Sequence, residues 1–422
     1  MFNVFKGKKI KEEIDRIKKE EIFDEKLESK VRKILNNVKK SGNSALVLYA
    51  QKFDNIKISK AKIKVSQKEI YSACRKTGKE FLKTFEKLAE NVRAFHKKQR
   101  EEEWFEPLAD GALYGMRNMP IDSVGVYVPG GRASYPSSVM MNIIPAQLAG
   151  VRRIALASPP PINSYVLAAA DSLGISEIYK VGGAQAIGAL AYGTETIAPV
   201  DKIVGPGNVY VALAKKMVAD KVGIDSLAGP SDILIIADRE ADPKFVAADM
   251  LSQCEHDPFA RAILITTSED LAVDVLCESR RQFKNLKRKK IIAQAAARGR
   301  IFIVENLSSA AWLSNIIAPE HLEIITSSPQ KLLGEIKNAG AVFLGGYSPV
   351  ALGDYGAGPN HVLPTYGTAR FASPLGVYDF IKRQSFLAYT KGSLAKIKKE
   401  ITMMADIEGL DAHAAAVNAR YC

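Results

Sequence analysis

Along this 422-residue chain the apolar residues change their period twice. Over about the first 100 residues they recur at helical spacing. The stretch IKEEIDRIKKEEIFDEKLESKVRKILNNVKKSG runs to a stop signal at Ser41-Gly42, and a second helical run covers about 79–98. From Val124 the texture becomes short β-branched runs, VGVYVPG, RRIALAS, EIYKVGG and DKIVGPG, separated by Ala-rich helical segments. It then restarts with DILIIAD, RAILITT, RIFIVEN, HLEIIT and AVFLGG. Strands alternating with helices predict parallel sheets joined by crossovers, hence an α/β fold with two Rossmann-like parallel-sheet units. N-terminal helices precede them. From Ser373 onward, through DFIKRQSFLAYT and SLAKIKKEITMMADIEGL, the pattern predicts a C-terminal helical tail. The N-terminal helices could pack on the second unit and leave the first as an insertion.

One of these helices carries candidate chemistry. In DPKFVAADMLSQCEHDP, residues 242–258, Asp242 is an N-cap, Pro243 suits the first helical position, and Asp257-Pro258 stops the run. Gln253 and His256 are then i, i+3 neighbours on one face. Such a pair is either a satisfied core or surface pair, or half of a metal site. Cys254 points about 100° away from Gln253 and is left out of the site.

Composition narrows the function classes. With 47% hydrophobic residues the chain can bury a large core. It holds no apolar run of the roughly twenty residues a membrane span needs, and its Lys/Glu-rich start lacks a signal-peptide core, so a cytoplasmic protein is expected. The four cysteines (Cys74, Cys254, Cys277, Cys422) form no C-x-x-C pair, which argues against a disulfide framework or a cysteine zinc site. The formal charge of +13 is confined to the first 100 residues, which hold 28 Lys+Arg against 13 Asp+Glu; the remainder holds 31 against 33. Dispersed Lys and Glu on helices describe a solvated surface, and no nucleic-acid motif accompanies them.

Three glycine clusters follow strands: Val128-Pro129-Gly130-Gly131, Gly182-Gly183-Ala184-Gln185 and Gly205-Pro206-Gly207-Asn208. Any one is a tight turn. Three at the carboxyl ends of parallel strands suit an anionic cofactor, although neither G-x-G-x-x-G nor a P-loop is present. Ala318-Pro319-Glu320-His321 sets a carboxylate beside an imidazole before an apolar strand, either as a buried, hydrogen-bonded His or as an acid/base pair. The run Gly353 to His361, GDYGAGPNH, is too glycine-rich for a core element and reads as a ligand loop. Glu408 and His413 lie five residues apart in the tail, close enough to border one site.

Together, GVYVPGG, GGAQAIGALAYGTE, DKIVGPGN, AGPSD, LSQCEH, APEHLE and GDYGAGPNHVLPT make the chain from about Val124 to His413 resemble the histidinol dehydrogenases. The resemblance implies NAD-dependent oxidation of L-histidinol to L-histidine through an aldehyde, with one zinc ion bound by Gln253, His256, Asp354 and His413. It implies that His321 takes the alcohol proton and Glu320 activates water. It puts Ser231, His361 and Glu408, with His321 and the metal ligands, on substrate, and Tyr127, Gln185 and Asn208 on the nicotinamide cofactor. It further implies a homodimer with exchanged tails and no nucleic-acid or membrane partner. The expected division is an N-terminal arm (1–21), a main domain with the metal and acid/base residues (22–126 and 231–374), a second domain with the cofactor loops (127–230), and a tail that reaches a partner subunit (375–422). Departures are small: AGPSD has Asp where Glu is common, and Cys254 stands where Ala is common. The rival reading from another class is a zinc hydrolase on an α/β fold, which leaves the glycine clusters unexplained.

Overall fold

The computed structural model describes residues 2–18, 25–130, 134–226 and 229–421. The expected boundary at 21/22, Gly131 of the first glycine cluster, Ala228 of AGPSD and Cys422 lie outside these residues. The described residues form two parallel sheets and one antiparallel sheet.

The first parallel sheet runs in the order Ile178–Lys180, Arg153–Ser158, Ser123–Tyr127, Lys202–Val204, Gly223–Ile224. The second runs Asn3–Lys6, Arg300–Ile303, Arg261–Thr266, Asp232–Ala237, His321–Ile325, Ala341–Leu344. Every β-branched run read from the sequence is one of these strands. Their near-continuous apolar character follows from burial on both faces: all six residues of Asp232–Ala237 and of Arg261–Thr266 are buried. The short strands Asn3–Lys6 and Gly223–Ile224 were not foreseen.

The long N-terminal helices bend where glycine permits it. Glu25–Phe53 breaks at Gly42 (φ 48°), and Gln67–Lys97 breaks at Gly78 (φ 79°). At Gly42 a Cβ would overlap the Glu195 carboxylate, which accepts a hydrogen bond from Asn43 N at 2.7 Å. Both helices pack on the first sheet's helices, Glu25–Phe53 on Gly183–Tyr192 and Val209–Val218, and Gln67–Lys97 on Pro136–Ala149 and Ser164–Ser172. Val31, Leu35, Val38 and Leu46 share a core with Ile187, Leu190 and Ile203. Gln67–Lys97 also meets the second unit, with which the expectation groups 22–126, Asn91 Nδ2 donating to the Gly356 carbonyl at 2.8 Å. An amphipathic stripe shows that a helix face is buried, not which sheet buries it. Among the described N-terminal residues, the strand Asn3–Lys6 and the helix Lys8–Lys18 join the second sheet, where Ile14 and Ile17 pack with Ile263 and Phe302.

The tail is corrected in part. Instead of helix, IKRQSFLA forms the strand Ile381–Ala388, paired antiparallel with Leu113–Pro120, which also pairs with Trp104–Pro107. The partner strand satisfies its backbone groups, a long-range pairing invisible in local spacing. Helices Lys391–Ile407 and Asp411–Asn418 then follow, the first capped by Thr390. Among the described residues no helix is long and apolar enough to cross a membrane.

Candidate active site

Four chain segments converge at the amino ends of the second sheet's strands. Ser231 precedes Asp232–Ala237, Glu320 precedes His321–Ile325, and Gly340 precedes Ala341–Leu344. The helix Pro243–Cys254 ends beside this edge. Asp242 caps it by accepting from Lys244 N at 2.8 Å, with Pro243 at the first position, as the sequence predicts. The helix stops at Cys254, sooner than expected, and His256 stands in the turn beyond it. The bond from His256 N to Gln253 O, 3.2 Å, keeps the two residues one turn apart.

His321 and Glu320 are both only 5% exposed. Asp232, which the sequence reading passed over, organises them. Its N–H donates to Glu320 Oε2 at 3.0 Å, and its Oδ1 accepts from Glu320 N at 2.7 Å. The Asp232 carbonyl lies 3.0 Å from His321 Nδ1. A carbonyl can only accept, so Nδ1 carries the proton and Nε2 presents its lone pair. Nε2 lies 3.9 Å from Asp354 Oδ1. His361 is built alike, its Nδ1–H donating to the Asp354 carbonyl at 2.8 Å. The missed signal was position: Asp232 follows Ser231 in GPSD at the start of a buried strand.

Burial dominates the electrostatics. It lowers His321 and His361 to about 4, so both rings are neutral near pH 7. Nearby His256 adds to both shifts. His256 itself is exposed at the rim, and desolvation by the surrounding protein still lowers its pKa. Glu320 is raised well above the usual carboxylate value, first by burial and then by the Asp232 charge, with Asp354 adding and a hydrogen bond from Ser231 opposing. Burial raises Asp354 to about 6. Arg261, its guanidinium 4.0 Å from the Tyr366 ring centre, offsets part of the Asp232 charge. A cavity of about 490 Å³ opens over this edge, lined by His321, Asp354, His361, Asn360, Phe343 and Tyr378 among others.

Gln253 is 1% exposed, and its Nε2 has no hydrogen-bond partner among the described residues. An amide ligates a divalent ion such as zinc only through its oxygen, and weakly, so Gln253 Oε1 with the His256 imidazole and the Asp354 carboxylate are the donor types such a site would use. Yet among the described residues no three His, Cys, Asp or Glu side chains are gathered to hold a metal. His413 and Glu408 lie exposed on the tail, and among the described residues neither side chain bonds to the His321 cluster. Cys254 is buried, with its thiol pushed up to about 12 by burial, which leaves it protonated and inert.

The expected cofactor residues lie on the first sheet. Tyr127 ends a strand, and its hydroxyl accepts from Gly183 N at 3.0 Å. Gln185 is 2% exposed, and its Oε1 has no partner among the described residues. Asn208 caps the helix Val209–Val218, accepting from Tyr210 N and Val211 N at 3.0 and 3.2 Å. Gly205, at φ 111°, brings the third loop against Tyr127, where a Cβ would strike the Tyr127 carbonyl.

A sequence model of the family described as histidinol dehydrogenase matches residues 17–421. The histidinol dehydrogenase of Listeria innocua is 50% identical over 401 residues, 94% of this chain and 93% of the relative. That of Bacillus licheniformis is 51% identical over 395 residues, 92% of each. A crystal structure of histidinol dehydrogenase from Elizabethkingia anophelis superposes with a TM-score of 0.94 at 38% identity, covering 100% of this chain and 98% of that one.

Proposed function

Because this chain belongs to the histidinol dehydrogenase family, we propose that it oxidises L-histidinol to L-histidine through L-histidinaldehyde, in the cytoplasm, with NAD and one zinc ion. The observation that carries the mechanism is the neutral His321, locked through Nδ1 onto the Asp232 carbonyl with Nε2 free beside the cavity. When bound, oxidised nicotinamide supplies the hydride acceptor for both steps, and zinc supplies a positive centre that orients the substrate nitrogens. In the first step His321 Nε2 takes the alcohol proton as the carbinol hydrogen leaves with its electron pair. In the second, Glu320 takes a proton from water as the water oxygen bonds to the aldehyde carbon, and the hydrate anion would give its hydride to the bound cofactor and its hydroxyl proton to solvent, leaving the carboxylate. The raised pKa of Glu320 makes it a strong base once ionised.

Gln253, His256 and Asp354 would hold the metal in one chain. His413 is exposed on the helix Asp411–Asn418, and we infer that it reaches the site of a second copy in a homodimer with exchanged tails. Tyr127, Gln185 and Asn208 would meet the cofactor. Ser231, His361 and Glu408 would contact histidinol.

Absorbance of reduced nicotinamide on adding histidinol and NAD tests the reaction: two reduced cofactors and one histidine are expected per histidinol. A yield of one with aldehyde accumulating contradicts it. Glu320→Gln is expected to slow oxidation of supplied aldehyde far more than that of alcohol, and equal losses would reject the division of roles. Refolding His413→Ala and His256→Ala chains together should restore activity in mixed dimers, whereas well-folded mixed dimers without activity would show that the tail serves its own chain.

A further inference from the structure

Glu323 is out of place by ordinary burial rules. It is 1% exposed in the middle of His321–Ile325, a strand flanked on both sides by others, and no Lys, Arg or His pairs with it among the described residues. Two residues after His321, it projects to the same face of the sheet. There Pro243–Cys254 packs over Ile235, the register partner of Glu323, through Val246 and Met250. Glu323 Oε1 accepts from Val350 N at 2.9 Å. Its Oε2 has no conventional donor, and its carboxyl interacts with that of Asp249. Asp249 lies one helical turn before Gln253, and Val350 opens the helix Val350–Tyr355 one turn before Asp354.

We propose that Glu323 and Asp249 form a positioning clamp that ties the helix bearing Gln253 and the helix bearing Asp354 to the strand that begins at His321. The clamp rests on the assignment of Gln253 and Asp354 as metal ligands above. Two carboxylates cannot bond to each other unless a proton lies between them. Burial raises Glu323 to about 9, with the Asp249 charge adding, and burial raises Asp249 to about 6. Glu323 therefore holds the proton at neutral pH. It accepts from Val350 with one oxygen and donates to Asp249 with the other, so a single side chain sets the spacing of two helices. A leucine would fill the same space without either direction, which is the situation in which a buried polar group contributes register rather than stability. Neither carboxyl is a catalytic residue.

The test is amide exchange of 350–355 together with zinc affinity, measured by competition with a chromophoric chelator, in folded protein. Glu323→Leu should speed exchange at Val350 by about tenfold or more, the loss of one buried hydrogen bond. It should also weaken zinc by about tenfold or more, as for other residues that orient metal ligands. Glu323→Gln, whose amide accepts and donates in the same directions, should stay within about threefold of wild type in both. Asp249→Ala tests the link from the helix side should the leucine variant not fold, and the same loss of zinc affinity is expected. Wild-type exchange at Val350 or wild-type zinc affinity in folded Glu323→Leu overturns the clamp, as does a Gln variant as impaired as the Leu variant. Wild-type protein that binds no zinc would instead refute the metal assignment, and the exchange comparison would still decide whether Glu323 holds the helix.

Discussion

The two parallel sheets differ in how most of their buried polar groups are satisfied, although each holds a buried ion pair, Lys215–Asp225 in the first and Arg300–Glu13, at 2.7 Å, in the second. In the first, the loops at the carboxyl ends are glycine-rich and the buried charges are paired. Lys215 and Asp225 form an ion pair that grips both polar groups of Gly205, Lys215 Nζ donating to its carbonyl at 3.1 Å and Asp225 accepting from its N–H at 2.7 Å. In the second, chemistry sits at the amino ends. Glu320, buried, and Asp354, partly buried, have raised pKa values and no cationic partner among the described residues, two neutral imidazoles stand beside them, and Glu323 and Asp249 pair with each other behind the site. Paired charges hold a backbone still, whereas unpaired titratable groups are poised to move protons. On the proposed function, the first sheet would serve as a cradle for the cofactor and the second as the reaction site.

The largest effect is expected where that contrast is sharpest. His321→Asn removes the free Nε2 base and should lower kcat for alcohol oxidation by roughly 10²–10⁴, the range for a general base. Steady-state reduction of NAD checks it. A kcat within a factor of a few of wild type would mean that another group takes the proton and that the amino-end cluster is structural.

Next comes a lesion in the first sheet. Lys215→Met strands Asp225 as a buried, unpaired charge, because the two side chains are only 1% and 3% exposed. Breaking such a pair costs about 3–5 kcal/mol. Chemical unfolding should show a loss of that size, together with a raised KM for NAD if Gly205 sets the cofactor loop. A stable variant would break the comparison, since charge pairing would then not be what fixes the first sheet's loops.

How much of this was legible in the sequence follows from the range of the signals. Strands buried on both faces announce themselves locally, so DILIIAD and RAILITT were read correctly. Gly42 was read as a helix stop, yet the helix resumes beyond it as far as Phe53, and the kink at Gly78 was not foreseen. Partner choice was not legible. Val31 and Leu35 look the same whichever sheet they meet, and Ile381–Ala388 is a strand only because Leu113–Pro120 lies beside it. At the site, Glu320 and His321 were visible as a pair. Asp232 and Glu323 each looked like one polar residue in an apolar strand, and their roles depend on neighbours 88 and 27 residues away. The glycine clusters do follow strands of the first sheet, whereas in the second the candidate residues gather before the strands.

The acids of the second sheet also predict how stability varies with pH. Glu323 is raised to about 9 in the fold, so its contribution is complete below its ordinary unfolded value and declines as pH rises through 9. Glu323→Gln, which cannot ionise, should remove this decline. His321 and His361 act in the other direction. Both are lowered to about 4, so their contribution is present above about 6.5 and is lost as pH falls toward 4. Urea midpoints measured from pH 4 to 9 check both slopes, and a flat profile would show that these groups reach solvent.

The smallest effect returns to the first sheet and separates a structural role from a binding one. Asn208 is exposed, and its Oδ1 already accepts from Tyr210 N and Val211 N. Its Nδ2 is the atom left to meet a cofactor. Asn208→Ala should therefore cost about 0.5–2 kcal/mol through the lost cap. Asn208→Ser restores an oxygen at the cap but no amide, so its stability should return to within a few tenths of a kcal/mol of wild type, serine and asparagine being near-equal caps. If Nδ2 touches NAD, the serine variant will keep a raised KM for NAD at unchanged kcat, because the lost contact is a binding contact made equally in ground and transition states. If KM returns together with stability, the residue serves the helix alone. The cradle would then depend on backbone amides and the Gly205 clamp, and Asn208 would leave the set of cofactor contacts.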